Sequence, residues 1–211
     1  MSPLARTTDT EIFAAGLFRG RTALITGGGT GIGLAIAREL GRLGASVVIA
    51  ARRRDILDGA ASELCEAGID ATALTLNIRD ELAVEALFEE LAARELTVEI
   101  LVNNAGGQFT AAALDISANG FRAVVDLNLN GTWRMCQAFA RRVVARGGSG
   151  GRIINIVLSI DRRSIKLRAR RRGARRGYQP DQDARRRVGA ARHPRQRRGA
   201  RHHSDERARP V

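Results

Sequence analysis

The sequence has few of the residues that commonly carry proton transfer or bind metal ions. Its 211 residues include one tyrosine, Tyr178, and one lysine, Lys166. The three histidines, His193, His202 and His203, all fall in an arginine-rich end of the chain, which is typical of a solvated charged run and not of a ligand set. We therefore predict no metal site.

Cysteines and long apolar runs are also scarce. Cys65 and Cys136 lie in segments with helical periodicity and without ligand spacing, so we predict neither a disulfide nor a zinc site, but two small buried side chains. No apolar run reaches membrane-spanning length, and the polar start lacks the apolar core of a secretory signal. These absences predict a protein that works in the cytoplasm without a membrane partner.

Charge divides the chain into two unequal parts. Residues 161–211 contain 19 of the 35 basic and 5 of the 22 acidic residues, a net charge of +14, whereas residues 1–160 together carry a net charge of −1. The sequence isoelectric point near 11.5 therefore describes this end of the chain. We divide the chain into an N-terminal extension (1–16), a domain (17–160) and an arginine-rich tail (161–211), which we predict to be disordered.

Within residues 17–160, short apolar runs alternate with helical stripes. The first stripe places Ile36, Leu40 and Leu43 on one helix face, the next begins near Asp80, and a long one covers 118–146. This alternation predicts an α/β fold with a doubly wound parallel sheet that ends after its fifth strand. The predicted strands are Thr22–Thr26, Ser46–Ala51, Ala71–Leu76, Glu99–Val102 and Arg152–Val157.

The first strand runs directly into the glycine-rich turn "TGGGTGIG", residues 26–33. In this position Gly27 permits a sharp turn, Gly31 leaves room for phosphates, and Gly33 lets the helix pack close to the strand. The free N–H groups of the helix's first turn, with Thr30 and Ile32 beside them, can then bind an anion. The turn predicts a Rossmann-like dinucleotide site; the alternative is an ordinary glycine-rich loop.

The residues after the second strand indicate which dinucleotide binds. An acidic residue there would accept hydrogen bonds from an adenosine ribose, but the sequence has "AARRR", with Arg52 and Arg53 first in the arginine run. Guanidinium groups suit a 2′-phosphate, which favours NADP(H) over NAD(H) as the cofactor. The alternative is a solvated basic start to the next helix.

Three motifs in order, "TGGGTGIG", "LVNNAGG" (101–107) and "DLNLNGTW" (126–133), resemble the short-chain dehydrogenase/reductase family over about residues 17–160. The resemblance implies that Asn103, Ala105 and Gly106 lie on the cofactor side. It also implies that Asn77, with Ile78 beside it, contacts the adenine. Asn128 matches the asparagine that holds a water in the family's proton relay; a polar group on a helix surface is the alternative.

A finer likeness concerns the segments "NNAGGQF", "NIRD" and "NGTWRMCQA", which look most like the family's 2-enoyl-CoA reductases, with the 2,4-dienoyl-CoA reductases next. This implies NADPH-dependent reduction of a carbon–carbon double bond in an acyl-CoA. The family's usual proton donor is a tyrosine in Tyr-x-x-x-Lys, but Gln182 stands four residues after Tyr178. Ser159 lies near the family's serine position, and a loop serine is the alternative.

Three interpretations of the tail compete: an arm that binds nucleic acid or another polyanion, a disordered spacer, and the family's missing half read in the wrong frame. A one-base shift permits 168–203 to encode a string containing "INLTK" and "IRVNAVAPGT", which resembles the family's next helix and strand. We favour the frameshift over nucleic-acid binding, and predict an incomplete, inactive chain with an uncovered fifth strand. Because the family's homo-oligomers pair helices, one of which belongs to the missing half, we expect assembly to be impaired.

Overall fold

Strands and helices alternate throughout the part of the chain that the computed structural model describes, residues 13–109 and 111–158. The strands are β1 (Thr22–Thr26), β2 (Ser46–Ala51), β3 (Ala71–Thr75), β4 (Val98–Asn103) and β5 (Arg152–Asn155). The α-helices are α1 (Gly31–Arg42), α2 (Arg54–Glu66), α3 (Glu81–Ala93), α4 (Ala118–Val125) and α5 (Thr132–Ala145). The predicted tail, most of the N-terminal extension and Ser159 lie outside the described residues.

The five strands form one parallel sheet in the order β3-β2-β1-β4-β5. The order reverses between β1 and β4, so the loops that leave these two strands diverge and open a crevice at the carboxyl edge of the sheet. The prediction of a Rossmann-like, doubly wound α/β fold is confirmed. β1 and β2 begin and end where their apolar runs do, because both strands are buried in the centre of the sheet.

Alternate residues of the central strands enter two separate hydrophobic cores. On β1, Leu24 packs into the core formed with α3 and α5, whereas Ala23 and Ile25 pack into the core formed with α1 and α2. Successive strand side chains point to opposite faces, so an unbroken apolar strand requires helices on both faces. This explains why the runs of β1, β2 and β4 are apolar without alternation.

The long helical stretch expected over 118–146 contains a change of helix type. Ser117 caps the start of α4 by accepting a hydrogen bond from the backbone N–H of Gly120 at 3.1 Å. Residues Asp126–Gly131 then form a π-helical turn before α5 begins. We call this segment the π-turn; such turns often occur at functional sites.

The fifth strand and the cysteines lie in more exposed positions than the central strands. All four residues of β5 are exposed, with Ile153 at 42% and Ile154 at 46%. Cys65 is also exposed and Cys136 is only partly buried, so the prediction of two buried cysteines is wrong. Leu64 faces the core, and one residue further along α2 the helix has turned by about 100°, which directs Cys65 outward.

Candidate functional site

A cavity of about 480 Å³ opens at the carboxyl edge of the sheet, where a doubly wound fold is expected to bind ligands. Its walls come from the turns after β1, β2, β3 and β4 and from the π-turn. The lining residues are Gly27, Gly29, Thr30, Gly31, Ile32, Ala50, Ala51, Arg52, Arg53, Ile56, Leu76, Asn77, Ile78, Asn104, Ala105, Gly106 and Leu127.

The glycine-rich turn provides one wall of this cavity. Gly27 has a φ of +67° and Gly31 a φ of +56°, values that residues with a Cβ rarely adopt. A Cβ on Gly31 would meet no atom within 4 Å, so this position opens onto space. Gly33 lies outside the lining and packs against the backbone of Gly27, which brings the first turn of α1 close to β1. This arrangement presents helix N–H groups to the cavity.

The three arginines after β2 separate into two groups. Arg52 and Arg53 line the cavity, whereas Arg54 pairs with Asp58 one turn along α2 at 2.8 Å. The hydrogen bond to Asp58, followed by its charge, raises the pKa of Arg54. Within residues 13–109 and 111–158, neither Arg52 nor Arg53 takes part in an ion pair. Two guanidinium groups therefore lie at this end of the cavity, and neither is paired with a carboxylate of the described residues.

Asn77 and Ile78 form the wall that follows β3. The Asn77 side-chain oxygen accepts a hydrogen bond from the backbone N–H of Arg79 at 3.3 Å. The backbone carbonyl oxygen of Asn77 accepts a second one from the backbone N–H of Asp80 at 3.0 Å. Asp80 in turn caps α3 by accepting from the N–H groups of Leu82 and Ala83. The loop is thus fixed at both ends, with an amide and an apolar side chain beside the space.

Thr26 and Asn104, which were not predicted as site residues, hold the loop after β4 against the glycine-rich turn. The buried Thr26 hydroxyl accepts hydrogen bonds from the backbone N–H groups of Asn104 and Ala105, both at 3.0 Å. The Asn104 side chain donates to the carbonyl oxygens of Thr26 at 3.0 Å and Gly27 at 3.2 Å. These bonds join the glycine-rich turn to the loop after β4. The sequence signal that could have identified both residues is a polar side chain at the end of β1 and directly after β4.

Asn103, expected on the cofactor side, is buried at 5% exposure and lies outside the lining of this cavity. Its side-chain nitrogen donates to Asn155 Oδ1 at 2.9 Å and to Cys136 Sγ at 3.2 Å. Adjacent strand residues point to opposite faces, so Asn104 lines the cavity while Asn103 joins β4 to β5 and α5. Burial raises the pKa of the Cys136 thiol, and the hydrogen bond from Asn103 opposes that shift.

Asn128, on the π-turn, faces the loop that follows β4. Its side chain donates to the carbonyl oxygen of Gly107 at 2.8 Å and accepts from the backbone N–H of Gly107 at 3.1 Å. The same nitrogen donates to the carbonyl oxygen of Val124 at 2.8 Å. Asn128 is therefore engaged with the backbone beside Gly106. The other expected catalytic residue, Ser159, lies outside the described residues.

The cavity suits a ligand with phosphates and an aromatic base. Helix N–H groups and two arginines can bind anions, while Ile78 and Asn77 offer an apolar surface and an amide. No group of three or more histidine, cysteine or acidic side chains suited to a metal ion occurs within 13–109 and 111–158. Among the helices in those ranges, none is long and apolar enough to span a membrane.

Comparisons with known proteins agree with this geometry. The family model described as short chain dehydrogenase matches residues 21–163. The chain is 43% identical over 155 residues to a peroxisomal 2,4-dienoyl-CoA reductase of Arabidopsis thaliana, covering 68% of this chain and 50% of the relative. It is 39% identical over 149 residues to a sorbitol dehydrogenase of Cereibacter sphaeroides, covering 70% and 56% respectively. The chain thus spans about half the length of the curated relatives it matches.

Solved structures give the same result. A citronellol catabolism dehydrogenase of Pseudomonas aeruginosa aligns with a TM-score of 0.66 and 36% identity, covering 70% of this chain and 60% of that one. An actinorhodin polyketide ketoreductase solved with NADPH aligns with a TM-score of 0.62 and 37% identity, covering 65% and 52%. With its parallel sheet, its glycine-rich turn and a family match over two thirds of its length, the chain belongs to the short-chain dehydrogenase family.

Proposed function

We propose that the cavity binds NADP(H) in preference to NAD(H). The observation that carries this proposal is the position of Arg52 and Arg53, which line the cavity after β2 where an acidic residue would select a ribose hydroxyl. Their guanidinium groups can bind a 2′-phosphate through charge-assisted hydrogen bonds. The polyketide ketoreductase solved with NADPH supports the same choice of cofactor.

Each wall of the cavity has a part in this binding. The first turn of α1, at Thr30, Gly31 and Ile32, would hold the pyrophosphate, and Asn77 with Ile78 would contact the adenine. Ala105 and Gly106 would lie beside the ribose, with Gly27 and Gly33 allowing the close approach of the backbone. When bound, the cofactor supplies a hydride, and the residues named here bind and orient it.

We further propose that the protein's substrate class is a 2-enoyl-CoA, whose double bond is conjugated with the thioester. The relatives named as 2,4-dienoyl-CoA reductases support an acyl-CoA substrate. Reduction adds a hydride to the β-carbon and a proton to the α-carbon. In the family the proton usually comes from the tyrosine of Tyr-x-x-x-Lys, and the sequence contains no such pair.

The chain as written is proposed to bind the cofactor weakly and to lack turnover, because it has no identified proton donor. NADPH oxidation followed at 340 nm with crotonyl-CoA, with a 2,4-dienoyl-CoA and with a 3-ketoacyl-CoA tests this proposal. We expect no oxidation above the enzyme-free control with any of the three. Robust turnover of crotonyl-CoA would contradict the proposed inactivity while supporting the substrate class.

Cofactor binding is tested separately by isothermal titration of the full chain with NADPH and with NADH. We expect the heat of binding to appear with NADPH at a lower ligand concentration than with NADH, and tighter binding of NADH would overturn the cofactor assignment.

Sequencing the coding DNA tests the proposed frameshift over 168–203. A reading frame that is continuous, with no compensating base nearby, would rule the frameshift out.

A further inference from the structure

Two walls of the cavity are attached to the same short segment, the π-turn. On one side, Asn128 is hydrogen bonded to the backbone of Gly107, next to the wall formed by Ala105 and Gly106. On the other side, the loop that carries Asn77 and Ile78 reaches the π-turn through Arg79. The π-turn therefore lies between the two loops.

Asp126 is the centre of the second attachment. Its Oδ2 accepts a hydrogen bond from Arg79 Nε at 2.8 Å, and its Oδ1 accepts from Arg134 on α5 and from Asn130, both at 3.3 Å. We call Arg79, Asp126, Asn130 and Arg134 the Asp126 cluster. Asp126 is 28% exposed, Arg134 is 25% exposed and Arg79 is 43% exposed, so this network links three segments and is half-buried at Asp126 and Arg134 but exposed at Arg79. A pair between two exposed side chains on one helix has no such linking effect.

The contacts beside the cluster are close enough to transmit its position to the cavity. A Cβ placed on the buried Gly131 would lie 2.8 Å from Ile78 Cδ1 and 3.2 Å from the Ile78 carbonyl oxygen. Ile78 is thus pressed between the cavity and the end of the π-turn. Arg79 follows Ile78 directly, so the Arg79–Asp126 ion pair lies one residue away from this lining residue.

The charges of the cluster are complementary. Hydrogen bonds from Arg79 and Asn130, and the charge of Arg134, lower the pKa of the Asp126 carboxyl. Desolvation of the carboxyl opposes this shift, and at neutral pH the ionised carboxylate is a charged partner for both arginines. Position 79 also has a second link to the wall, through the hydrogen bond from its backbone N–H to Asn77 Oδ1.

We propose that Asp126 is a positioning residue for the nucleotide pocket: through its ion pair with Arg79 it holds the Asn77–Ile78 wall at the distance that an adenine ring requires. The inference rests on the proposed nucleotide binding for its consequence and on the contacts above for its mechanism. Asp126 touches no part of the cavity itself, so it acts through Arg79, and Arg134 and Asn130 fix its carboxylate.

The test combines hydrogen exchange of the full chain with nucleotide titration. In Asp126→Asn we expect the backbone amides of Arg79 and Asp80 to exchange about fivefold faster, as for the loss of one partly buried ion pair. We expect NADPH and adenosine 2′,5′-bisphosphate to bind about fivefold more weakly. The factor should be the same for both ligands, because both contain the adenine that the Asn77–Ile78 wall would contact and only that wall is affected. A merely structural role would lower stability without this match between the two ligands.

Matched variants separate the alternatives. Arg79→Gln removes the same ion pair from its other end and gives a second route if Asp126→Asn does not fold, whereas Arg79→Lys retains the charge and should restore most of the affinity. Glu63→Gln removes an exposed ion pair with Arg38 between α1 and α2 and should leave exchange and affinity unchanged.

Each outcome decides the inference. Unchanged exchange at 79 and 80 in both ion-pair variants overturns it, and so does unchanged affinity when the wild-type chain binds nucleotide. If the wild-type chain binds neither nucleotide, the proposed cofactor binding fails. The positioning role then stands or falls on the exchange rates of Arg79 and Asp80 alone.

Discussion

Adding one methyl group at Gly33 should destabilise the domain, although alanine is normally the better helix former. Gly33 lies in the first turn of α1 and packs against the turn after β1. A Cβ at this position would overlap the carbonyl oxygen of Gly27 and would lie 2.5 Å from Asn104 Nδ2 and 2.9 Å from the carbonyl carbon of Gly27. Both neighbours are held by hydrogen bonds, so neither can move without cost.

The structure sets the expected magnitude. Overpacking of a close contact costs about 1–3 kcal/mol, whereas replacing glycine by alanine inside a helix gains up to about 1 kcal/mol. We therefore expect Gly33→Ala to lower the free energy of unfolding by about 1–2 kcal/mol net, an appreciable part of the roughly 5–15 kcal/mol typical of a domain. The loss should be accompanied by weaker NADPH binding, because the same overlap displaces the phosphate-binding turn.

The chain offers a matched control in Gly59. This residue is in the interior of α2, is exposed, and would meet no atom within 4 Å if it carried a Cβ. Gly59→Ala should raise the free energy of unfolding by about 0.5–1 kcal/mol. Urea unfolding followed by far-UV circular dichroism measures both variants. Equal stability of the two alanine variants would refute the argument that close packing, and not conformational freedom, requires glycine at position 33.

Three further outcomes follow from the site and the sheet edge. Arg52→Ala and Arg53→Ala should each weaken NADPH binding about tenfold while leaving NADH binding nearly unchanged, as titration calorimetry can measure; equal losses for both cofactors would contradict a 2′-phosphate contact. Iodoacetamide at pH 8 should label the exposed Cys65 before Cys136, whose pKa is raised by burial, and labelling of Cys136 should accelerate as the pH rises; the order can be read by peptide mass spectrometry. Ile154→Lys on the exposed β5 should reduce light scattering on concentration, whereas unchanged scattering would exclude that strand as the aggregating surface.

Local pattern was sufficient for much of the fold. The buried β1 and β2 are bounded by polar or glycine residues, and the helix stripes mark which side of each helix packs, so sheet, helices and glycine-rich turn could be predicted. Arg52 and Arg53 could also be placed, because parallel strands end at one edge. The sequence could not predict that Arg53 lines the cavity while Arg54 does not. That difference arises because the Arg54 side chain pairs with the carboxylate of Asp58, one helical turn away.

The π-turn and its contacts needed the folded chain. Helical periodicity over 118–146 is unbroken in the sequence. The change of helix type accompanies hydrogen bonds between Asn128 and the Gly107 backbone and a hydrogen bond that Arg79 donates to Asp126, and these partners are far apart along the chain. The sequence also could not decide which asparagine of "NNAG" lines the cavity. The asparagine that lines the cavity is Asn104, because Asn103, the last residue of β4, directs its side chain toward β5.

By itself, the sequence determined the alternating architecture, the glycine-rich turn at residues 26–33 and the basic residues beside the cavity, because apolar periodicity and glycine position act locally. Only the tertiary structure decided which of the residues named in each motif touch the cavity, how Thr26 and Asn104 join two strand ends, and that Asp126 reaches the Asn77–Ile78 wall through Arg79. These arrangements depend on distances between residues far apart in the chain, which are fixed only once the two cores have packed against the sheet.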